Sequence, residues 1–320
     1  MKNKSVVVLV GVGNLGLRYL EGILKSNLKI SIFAYDISTT TIEKAKVFCN
    51  KISNKNTDLK FIFNFNEIPK VIELLILSTT AFKRADLILK FSKDKSFEIN
   101  SWIIEKLLSQ SLEDLNKMKK SLGNKTNVWV SHPRREMKWY QEICNFIPKN
   151  KKILIEVYGK NWGLVCNAVH FFDLSSWLVN QKLEFVDFDD LGNEWFESKR
   201  QGFYEINGLL HGKYSDGSEI KILSDDKSSE FKINIYSGTN KWEINYKQNT
   251  FTGPDGLSLK GKENFMSELI GNIVDDIISN KTCNLPAFND TAEDYQKILI
   301  RFIEHWNLNI DAKSKAIPIT

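Results

Sequence analysis

Three glycines near the start of the chain stand in a spacing that suits phosphate binding. Gly11, Gly13 and Gly16 follow the apolar run Ser5–Val10 and precede an amphipathic stretch. In such a turn the first glycine allows a tight bend, the second lets the backbone approach a pyrophosphate, and the third lets helix and strand pack closely. The helix that follows would point free N–H groups and its positive dipole end at the phosphates. The expected dinucleotide contacts are therefore Gly11, Gly13, Asn14, Leu15 and Gly16.

An acidic side chain completes this pattern. Asp36 ends a second apolar run, Ile30–Tyr35, about 20 residues after Gly16, where a carboxylate binds the ribose 2′-hydroxyl of NAD. The same carboxylate would repel the 2′-phosphate of NADP, and no arginine stands in 37–39 to attract it. The sequence therefore predicts NAD as the cofactor, with NADP less favoured. An ordinary glycine turn followed by an aspartate helix cap is the alternative, and S-adenosylmethionine also suits this spacing.

Polar residues follow two later apolar runs. Ser78, Thr79 and Thr80 come after one of them, and Glu105 and Lys106 come after the other. Ligands of parallel sheets bind at the carboxyl ends of the strands, so the hydroxyls and Glu105 are expected to contact the cofactor. A lysine at that edge is well placed to hold or move a proton. The alternative is that Lys106 is a surface lysine paired with Glu105.

A predicted helix over Leu164–Val179 carries a second set of reactive side chains. His170 and Asp173 are three residues apart, so they share a face of the helix, and Cys166 lies one turn before His170 on that face. Histidine is the side chain whose charge changes most readily near neutral pH. A buried histidine satisfied by a backbone group is the alternative on a helix this apolar.

Two further residues are candidates for contact with a substrate. Arg134 follows the last predicted parallel strand, where its guanidinium could hold a phosphate or carboxylate. Trp162 stands in a glycine-containing loop, where its ring could stack on a sugar face. A solvated helix start for Arg134 and a core position for Trp162 remain equally open.

The elements that must position these residues change character along the chain. In the first third, apolar runs without strict alternation are separated by helices, one of them expected over 67–73, which predicts a parallel sheet covered on both faces. From about 183 to 249 the pattern is strand-rich, and two amphipathic helices follow. The predicted fold class is α/β: a Rossmann dinucleotide-binding domain over 1–133, then an α+β domain over 134–320 with an open, mainly antiparallel sheet.

Composition excludes several classes of protein. With 42% hydrophobic residues the chain has ample core, and a net charge of +5, scattered along the sequence, gives no reason to expect a nucleic-acid partner. The four cysteines form no CxxC pair, which argues against a metal site and for reduced thiols. Residues 1–4 lead straight into the first strand and no apolar run is long enough to span a membrane. A soluble, cytoplasmic protein without a membrane partner is expected.

This order of domains resembles the Gfo/Idh/MocA oxidoreductase family over nearly the whole chain. The resemblance rests on the glycine turn, the Glu105–Lys106 pair after the fifth strand, the helix segment 167–173, and the sequence Leu-Pro-Ala-Phe at 285–288 before the last helix. Members of this family mostly transfer hydride between NAD(P) and a hydroxyl or ketone carbon of a sugar, cyclitol or related metabolite.

The resemblance implies roles for individual residues. Lys106 matches a lysine that sits over the nicotinamide and helps polarise the reacting oxygen, and His170 matches the acid/base that takes the substrate hydroxyl proton. Asp173 would bind substrate hydroxyls, and Cys166 and Asn167 could help to orient the substrate. The partner would be a sugar or nucleotide sugar.

The resemblance also implies a homodimer or homotetramer that pairs through the open sheet face. Four aromatic residues in the strand-rich half are expected to leave that face apolar. These residues are Phe231, Tyr236, Trp242 and Tyr246.

Three departures from the family pattern concern the chemistry. Leu107 replaces the proline after the lysine, Cys166 stands where an aspartate is usual, and Ala168 replaces a glycine. The Cys-Asn-x-x-His variant is similar to members that act in surface-polysaccharide synthesis. The departures also favour an alternative function, a non-catalytic NAD-binding sensor or scaffold of the same fold.

Overall fold

The computed structural model describes residues 4–52, 54–228 and 230–320, so part of the N-terminal segment 1–4 lies outside the described residues. The chain forms two compact units. The first comprises 1–108, 117–136 and 264–288, and the second comprises 109–116, 137–263 and 289–320. The domains 1–133 and 134–320 stay a prediction, because compactness alone does not show which segments fold independently.

The first unit is built on a six-stranded sheet whose neighbouring strands are all parallel. Its strands, in chain order, are β1 (Ser5–Val10), β2 (Ile30–Tyr35), β3 (Thr57–Ile62), β4 (Val71–Leu77), β5 (Glu98–Ile104) and β6 (Val128–Val130). Across the sheet they run β3-β2-β1-β4-β5-β6. The order reverses between β1 and β4, which is the point where such sheets bind ligands.

Eight α-helices are assigned in the described residues. They are α1 (Asn14–Ile23), α2 (Thr39–Cys49), α3 (Arg84–Lys93), α4 (Leu112–Leu122), α5 (Lys138–Cys144), α6 (Leu164–Val179), α7 (Met266–Asn280) and α8 (Phe288–Asn309). Helix α7 returns from late in the chain to pack on α1 in the first unit. The two backbones approach closely there, because a Cβ at Gly271 would lie only 2.7 Å from the Gly22 carbonyl oxygen.

The second unit contains an eight-stranded sheet and a short hairpin. The sheet comprises β7 (Leu154–Lys160), β8 (Leu183–Asp187), β11 (Gly208–Tyr214), β12 (Glu219–Asp225), β13 (Lys232–Ser237), β14 (Asn240–Asn245), β15 (Thr250–Thr252) and β16 (Ser258–Lys260). The hairpin comprises β9 (Phe196–Glu197) and β10 (Tyr204–Glu205). All neighbouring strands of the sheet are antiparallel except β7 and β12. The predicted α/β class with an open, mainly antiparallel second sheet is confirmed.

Alternation along the strands of the second sheet explains its two faces. Ile155 and Val157 on β7 and Ile220 and Ile222 on β12 are fully buried, whereas the residues between them are only half-buried. Helix α6 packs against β12. One face of the sheet is therefore apolar and covered, and the other carries mainly polar and charged side chains, as period-two alternation requires.

Two expectations about local structure are wrong. The helix predicted over 67–73 is a short 3-10 turn at Phe65–Glu67, after which β4 begins at Val71. Pro69 explains the difference, because it has no N–H and disfavours helical backbone at the residue before it.

The second wrong expectation is that four aromatic residues leave the open face of the second sheet apolar. Trp242 pairs with the buried Ile235 and is 5% exposed, so it lies on the covered side. Phe231 and Tyr246 pack against each other with ring centroids 5.0 Å apart. Phe231, Tyr236 and Tyr246 are all half-buried, and of these three Tyr236 lies within a strand, between the buried Ile235 and Ser237.

Candidate functional site

The glycine turn between β1 and α1 is held by contacts from the end of β4. Gly11 has a φ of +93°, and a Cβ there would lie 3.0 Å from the Thr79 nitrogen. The Ser78 hydroxyl donates to the Gly11 carbonyl oxygen at 2.6 Å. A Cβ at Gly16 would lie 2.1 Å from that same oxygen. Two of the three glycines are thus required by the packing of the turn itself.

The middle glycine differs from the other two. Gly13 is the N-cap of α1, and a Cβ there would meet no heavy atom within 4 Å. The first turn of α1 has no acidic residue, and no side chain caps it. Asn14 and Leu15 open the helix and are exposed. This helix end therefore offers N–H groups and a positive dipole to an anion, and the residues fit the pyrophosphate of a dinucleotide.

Asp36 is tied to the same turn. Its Oδ2 accepts the Val12 N–H at 2.8 Å and its Oδ1 accepts the Ser38 N–H at 2.9 Å. An ionised carboxylate has about four acceptor positions, so each oxygen can accept one more hydrogen bond. The contact with Ser38 agrees in part with the alternative of an aspartate helix cap, and the remaining acceptor positions of Asp36 still fit a ribose hydroxyl. The residue after it, Ile37, is 87% exposed.

The three hydroxyl residues after β4 differ in their surroundings. Ser78 is engaged with the glycine turn, as described above, and Thr80 is exposed. Thr79 Oγ1 is buried and has no hydrogen-bond partner among the described residues. A buried hydroxyl without a partner is costly, so Thr79 is the residue here that fits a polar group of a cofactor best.

Glu105 and Lys106 lie directly after β5 and connect with α1. Glu105 is 3% exposed, and its carboxylate accepts the hydroxyl of Tyr19, whose oxygen also lies 2.8 Å from Ser131 Oγ. Burial, and then the charge of Glu105, raise the pKa of Tyr19 well above its usual value, so Tyr19 stays a proton donor. Lys106 is half-buried beside this network. Glu105, the residue before Lys106, is thus held in place by Tyr19.

Arg84, at the start of α3, is a residue that sequence reasoning missed. It is 1% exposed, and its Nη1 donates to the carbonyl oxygen of Glu105 at 2.6 Å. A usable signal was its spacing, because Arg84 stands on the same stripe of α3 as the buried Ile88 and Phe91. An arginine on an apolar stripe indicates a buried charge with dedicated partners.

Helix α6, in the second unit, carries the other predicted residues. It begins after Gly163, whose φ is +77°. Asp173 is buried, and Cys166, Asn167 and His170 are half-buried. The Asn167 amide donates to the carbonyl oxygens of Trp162 and Gly163, both at 3.0 Å, so this side chain fastens the loop to the helix.

Trp162 is largely a packing residue. Its indole N–H donates to the Leu223 carbonyl oxygen at 2.9 Å, and its ring makes edge contacts with Phe171 and Phe231. The core alternative for this tryptophan accounts for these contacts. Its role as a stacking surface for a sugar stays a prediction.

A buried carboxylate at the start of α6 was not predicted. Glu205, from β10, accepts the N–H groups of Val165 at 2.8 Å and of Cys166 at 3.1 Å. It therefore caps a helix whose own N-cap residue, Gly163, has no side chain. Its negative charge lies beside Cys166, the position where the resemblance leads one to expect an aspartate. Nothing in the sequence around Tyr204 signalled this contact.

Asp294, on α8, was also missed. Burial is the main cause that raises its pKa to about 7, Lys297 opposes the shift, and the charge of Asp173 adds to it. Lys297 Nζ lies 3.9 Å from Asp294 Oδ1. The predicted substrate residue Asp173 thus has a second carboxyl group in its surroundings, one that changes protonation near neutral pH.

Arg134 belongs to the 3-10 turn Pro133–Glu136 of the first unit and is half-buried. The turn is fixed by Glu136, whose carboxylate accepts the N–H groups of Asn284 at 2.6 Å and Leu285 at 3.1 Å. Arg134 therefore has a defined backbone position, and its contact with a substrate anion stays a prediction.

No protein-family model and no curated protein matches the chain, so the comparisons rest on solved structures. Myo-inositol 2-dehydrogenase from Lactobacillus plantarum is 14% identical, with a TM-score of 0.66, over 99% of this chain and 100% of that one. An oxidoreductase from Agrobacterium radiobacter in complex with NAD+, L-tartaric acid and magnesium is 11% identical, with a TM-score of 0.69, over 92% and 94%. UDP-N-acetylglucosamine 3-dehydrogenase from Acidithiobacillus ferrooxidans is 11% identical, with a TM-score of 0.64, over 97% and 99%.

The chain has the fold of the Gfo/Idh/MocA-type dehydrogenases. The likeness spans nearly the full length of both chains in each comparison, and at these identities it is a likeness of fold. The succession of a parallel and a mainly antiparallel sheet, which the sequence predicts, is the one that this fold contains.

The described residues contain neither a metal site nor a membrane span. No group of three histidine, cysteine, aspartate or glutamate side chains among them could hold a metal ion. No helix among them is both long enough and apolar enough to cross a lipid bilayer.

Proposed function

We propose that this chain is an NAD-dependent oxidoreductase that transfers hydride to or from a hydroxyl or ketone carbon of a sugar or nucleotide sugar. The observation that carries the proposal is the uncapped start of α1, where Gly13 has open space and Asp36 is fastened to the same turn. The dehydrogenases that share the fold support an enzyme of the CH–OH class. The oxidoreductase from Agrobacterium radiobacter, which has a similar fold and was solved in complex with NAD+, supports NAD as the cofactor.

NAD is favoured over NADP by one side chain. The Asp36 carboxylate can accept a ribose 2′-hydroxyl and would repel a 2′-phosphate. The exposed residue beside it is Ile37, which offers no positive charge to a phosphate. The pyrophosphate would lie at Gly13, Asn14 and Leu15, and the hydroxyl of Thr79 would receive a hydrogen bond that it lacks among the described residues.

The proposed catalytic residues are Lys106 and His170. Bound NAD would supply the carbon that accepts or returns the hydride. Lys106 would hold its positive charge toward the reacting oxygen, and His170 would take the hydroxyl proton as the alcohol is oxidised. Glu105, the residue before Lys106, would help to hold Lys106 in position, since Tyr19 binds the Glu105 carboxylate.

The substrate would contact Asp173, Cys166 and Asn167 on α6, with Trp162 and Arg134 as further candidates. A sugar is supported by the fold neighbours named for myo-inositol and UDP-N-acetylglucosamine. A nucleotide sugar would give Arg134 a phosphate to bind, and a place in surface-polysaccharide synthesis would suit such a substrate.

A homodimer or homotetramer, formed through the open face of the second sheet, is part of the proposal. That face carries polar side chains, such as the half-buried Lys232 and Tyr236 and the buried Asn234 on β13, and so would pair through polar contacts rather than an apolar patch. We also propose a cytoplasmic location, supported by four cysteines that form no disulfide.

A second function is favoured by two residues. Leu107 stands where the resemblance implies a proline, and Cys166 stands where it implies an aspartate of the catalytic set, which suits a non-catalytic NAD-binding sensor or scaffold. In that function the Asp36 turn would still bind NAD, but no sugar would be oxidised.

Calorimetric titration with NAD and NADP, followed by a panel of sugars and nucleotide sugars monitored by nicotinamide absorbance, tests these alternatives. The proposal expects tighter NAD binding and turnover of at least one alcohol. The variant Gly13→Val is the control for binding at the turn. Tight NAD binding without any turnover would favour the sensor, and the absence of NAD binding would contradict both functions.

A further inference from the structure

A single buried guanidinium gathers the backbone of the segment that carries Lys106. Arg84 Nη1 donates to the carbonyl oxygens of Glu105, at 2.6 Å, and of Leu107, with a longer contact of 3.4 Å to that of Leu108. Its Nη2 donates to the carbonyl oxygen of Thr79. Arg84 thus joins the residues that follow β5 to the end of β4.

The burial of this charge is unusual for an arginine. Arg84 is 1% exposed, and taking a guanidinium out of water is expensive unless fixed acceptors replace the water. Backbone carbonyls that converge on it from 105, 107 and 108 provide those acceptors. Their convergence requires one particular path of the chain through these residues, so the guanidinium and the path stabilise each other.

The backbone before Arg84 is adapted to this arrangement. Lys83, the N-cap of α3, has a φ of +68°, a conformation that is rare for a residue with a side chain. Such conformations persist only where the surrounding structure determines them. The turn into α3 therefore directs Arg84 inward at a local conformational cost, which indicates that its position matters.

We propose that Arg84 is a positioning residue that fixes the aim of Lys106 by holding the carbonyl oxygens of Glu105, Leu107 and Leu108. The inference rests on the proposed function for the role of Lys106, but the contacts themselves do not depend on it. Leu107, which is not a proline, leaves the backbone φ after Lys106 unrestrained by any ring, and the guanidinium supplies the restraint from outside. Lysine cannot replace it fully, because an ammonium lacks the planar fork that spans several acceptors.

The test compares Arg84→Gln and Arg84→Lys with Ile88→Ala. Ile88 is fully buried one turn later on α3 and has no polar side-chain atom, so its truncation loosens the same helix without removing a hydrogen bond to the carbonyls of Glu105, Leu107 and Leu108. In the Arg84 variants, kcat is expected to fall by about 10-fold or more, because a misplaced catalytic group loses its geometry. The KM for NAD should change by a smaller factor than kcat, because the Arg84 guanidinium holds three carbonyl oxygens around Lys106 but only the backbone of Thr79 on the side of the proposed cofactor site. Ile88→Ala should keep kcat near the wild-type value.

A readout independent of activity is amide hydrogen exchange of the segment 104–110. Arg84→Gln is expected to accelerate exchange there, and Arg84→Lys to a smaller degree, while Ile88→Ala leaves that segment as in the wild type. Arg84→Lys keeps the charge and so guards against a variant that fails to fold. Unchanged exchange and unchanged kcat in a folded Arg84→Lys would overturn the proposal.

The kinetic comparison and the hydrogen-exchange measurement together separate failure of this proposal from failure of the proposed function. If the wild type oxidises no substrate, the exchange of 104–110 still decides whether Arg84 holds the segment. If turnover is found and falls equally in Ile88→Ala and the Arg84 variants, the effect is a general loss of stability, and the positioning role is wrong.

Discussion

The backbone N–H of Val12 donates to the carboxylate of Asp36 across 2.8 Å. The acid proposed to bind the adenosine ribose is thereby fastened to the glycine turn proposed to bind the pyrophosphate. Removing its charge and removing its acceptor atoms are therefore two different perturbations, which substitutions can separate.

Asp36→Asn should keep an oxygen for the Val12 N–H while it removes the charge that repels a 2′-phosphate. The ratio of NADP to NAD affinity is expected to rise by about 10-fold, which corresponds to about 1.4 kcal/mol. Calorimetric titration of both cofactors measures it. Glu43→Gln, an exposed acid of α2 paired with Lys46, is the control for loss of one negative charge. An unchanged ratio would show that Asp36 does not face the ribose.

Gly13 and Gly16 should respond differently to an added side chain. Gly13→Val points into open space, so the folded protein should keep its melting temperature but lose NAD binding. Gly16→Ala would drive a Cβ to 2.1 Å from the Gly11 oxygen, and a loss of about 1–3 kcal/mol in unfolding free energy is expected. Thermal unfolding and NAD titration of the pair separate a packing role from a ligand role. NAD binding retained in Gly13→Val would mean that the turn serves another purpose.

Asp294 should make stability depend on pH in an unusual direction. Its pKa is about 7 in the folded state and 3.8 in a model peptide, so between these values the folded protein holds a proton that the unfolded chain has lost. Stability due to this group therefore falls as pH rises from about 4 to 7. Asp294→Asn should abolish that fall and stabilise the protein at pH 8 by up to about 4 kcal/mol.

Urea unfolding at pH 5 and pH 8 checks this expectation. A remote exposed acid provides the control, since Glu43→Gln on α2 removes a negative charge that does not contribute to the Asp294 shift and should leave the pH dependence of the wild type. Equal stability of Asp294→Asn and wild type at pH 8 would contradict the account of this carboxyl group.

Glu205 should contribute through the start of α6. Glu205→Ala removes the acceptor for the N–H groups of Val165 and Cys166, and hydrogen bonds to a charged group are worth about 1.5–3 kcal/mol. Glu205→Gln keeps an oxygen and should lose less. Glu197→Ala, on the exposed strand of the same hairpin, is the control. Denaturant unfolding that ranks Ala and Gln equally would argue against capping.

Periodicity predicted those elements whose own residues determine them. Strand Ile30–Tyr35 and helix Leu164–Val179 have the bounds that their apolar patterns indicate. Apolar faces of this length leave little choice of register. The helix predicted over 67–73 is wrong because Pro69 outweighs the helical pattern of that segment.

The buried charges could not be predicted in the same way. Arg84 is held by the carbonyl oxygens of residues 105, 107 and 108, and Glu205 by the N–H groups of residues 165 and 166. Both sets of partners are backbone groups distant in the sequence, and backbone groups have no residue-type signature. The glycine turn is the opposite case, because its glycines are themselves the signal and can be read directly from the sequence.

The most direct test of the central claim is the turnover of Lys106→Met and His170→Asn on a sugar or nucleotide sugar that the wild type oxidises. The account predicts that kcat falls by about 10²-fold or more in each variant, the usual contribution of a positioned acid or base. NAD affinity should stay near that of the wild type, because the proposed pyrophosphate and ribose contacts lie at the glycine turn and Asp36. Wild-type turnover in both variants would contradict the account.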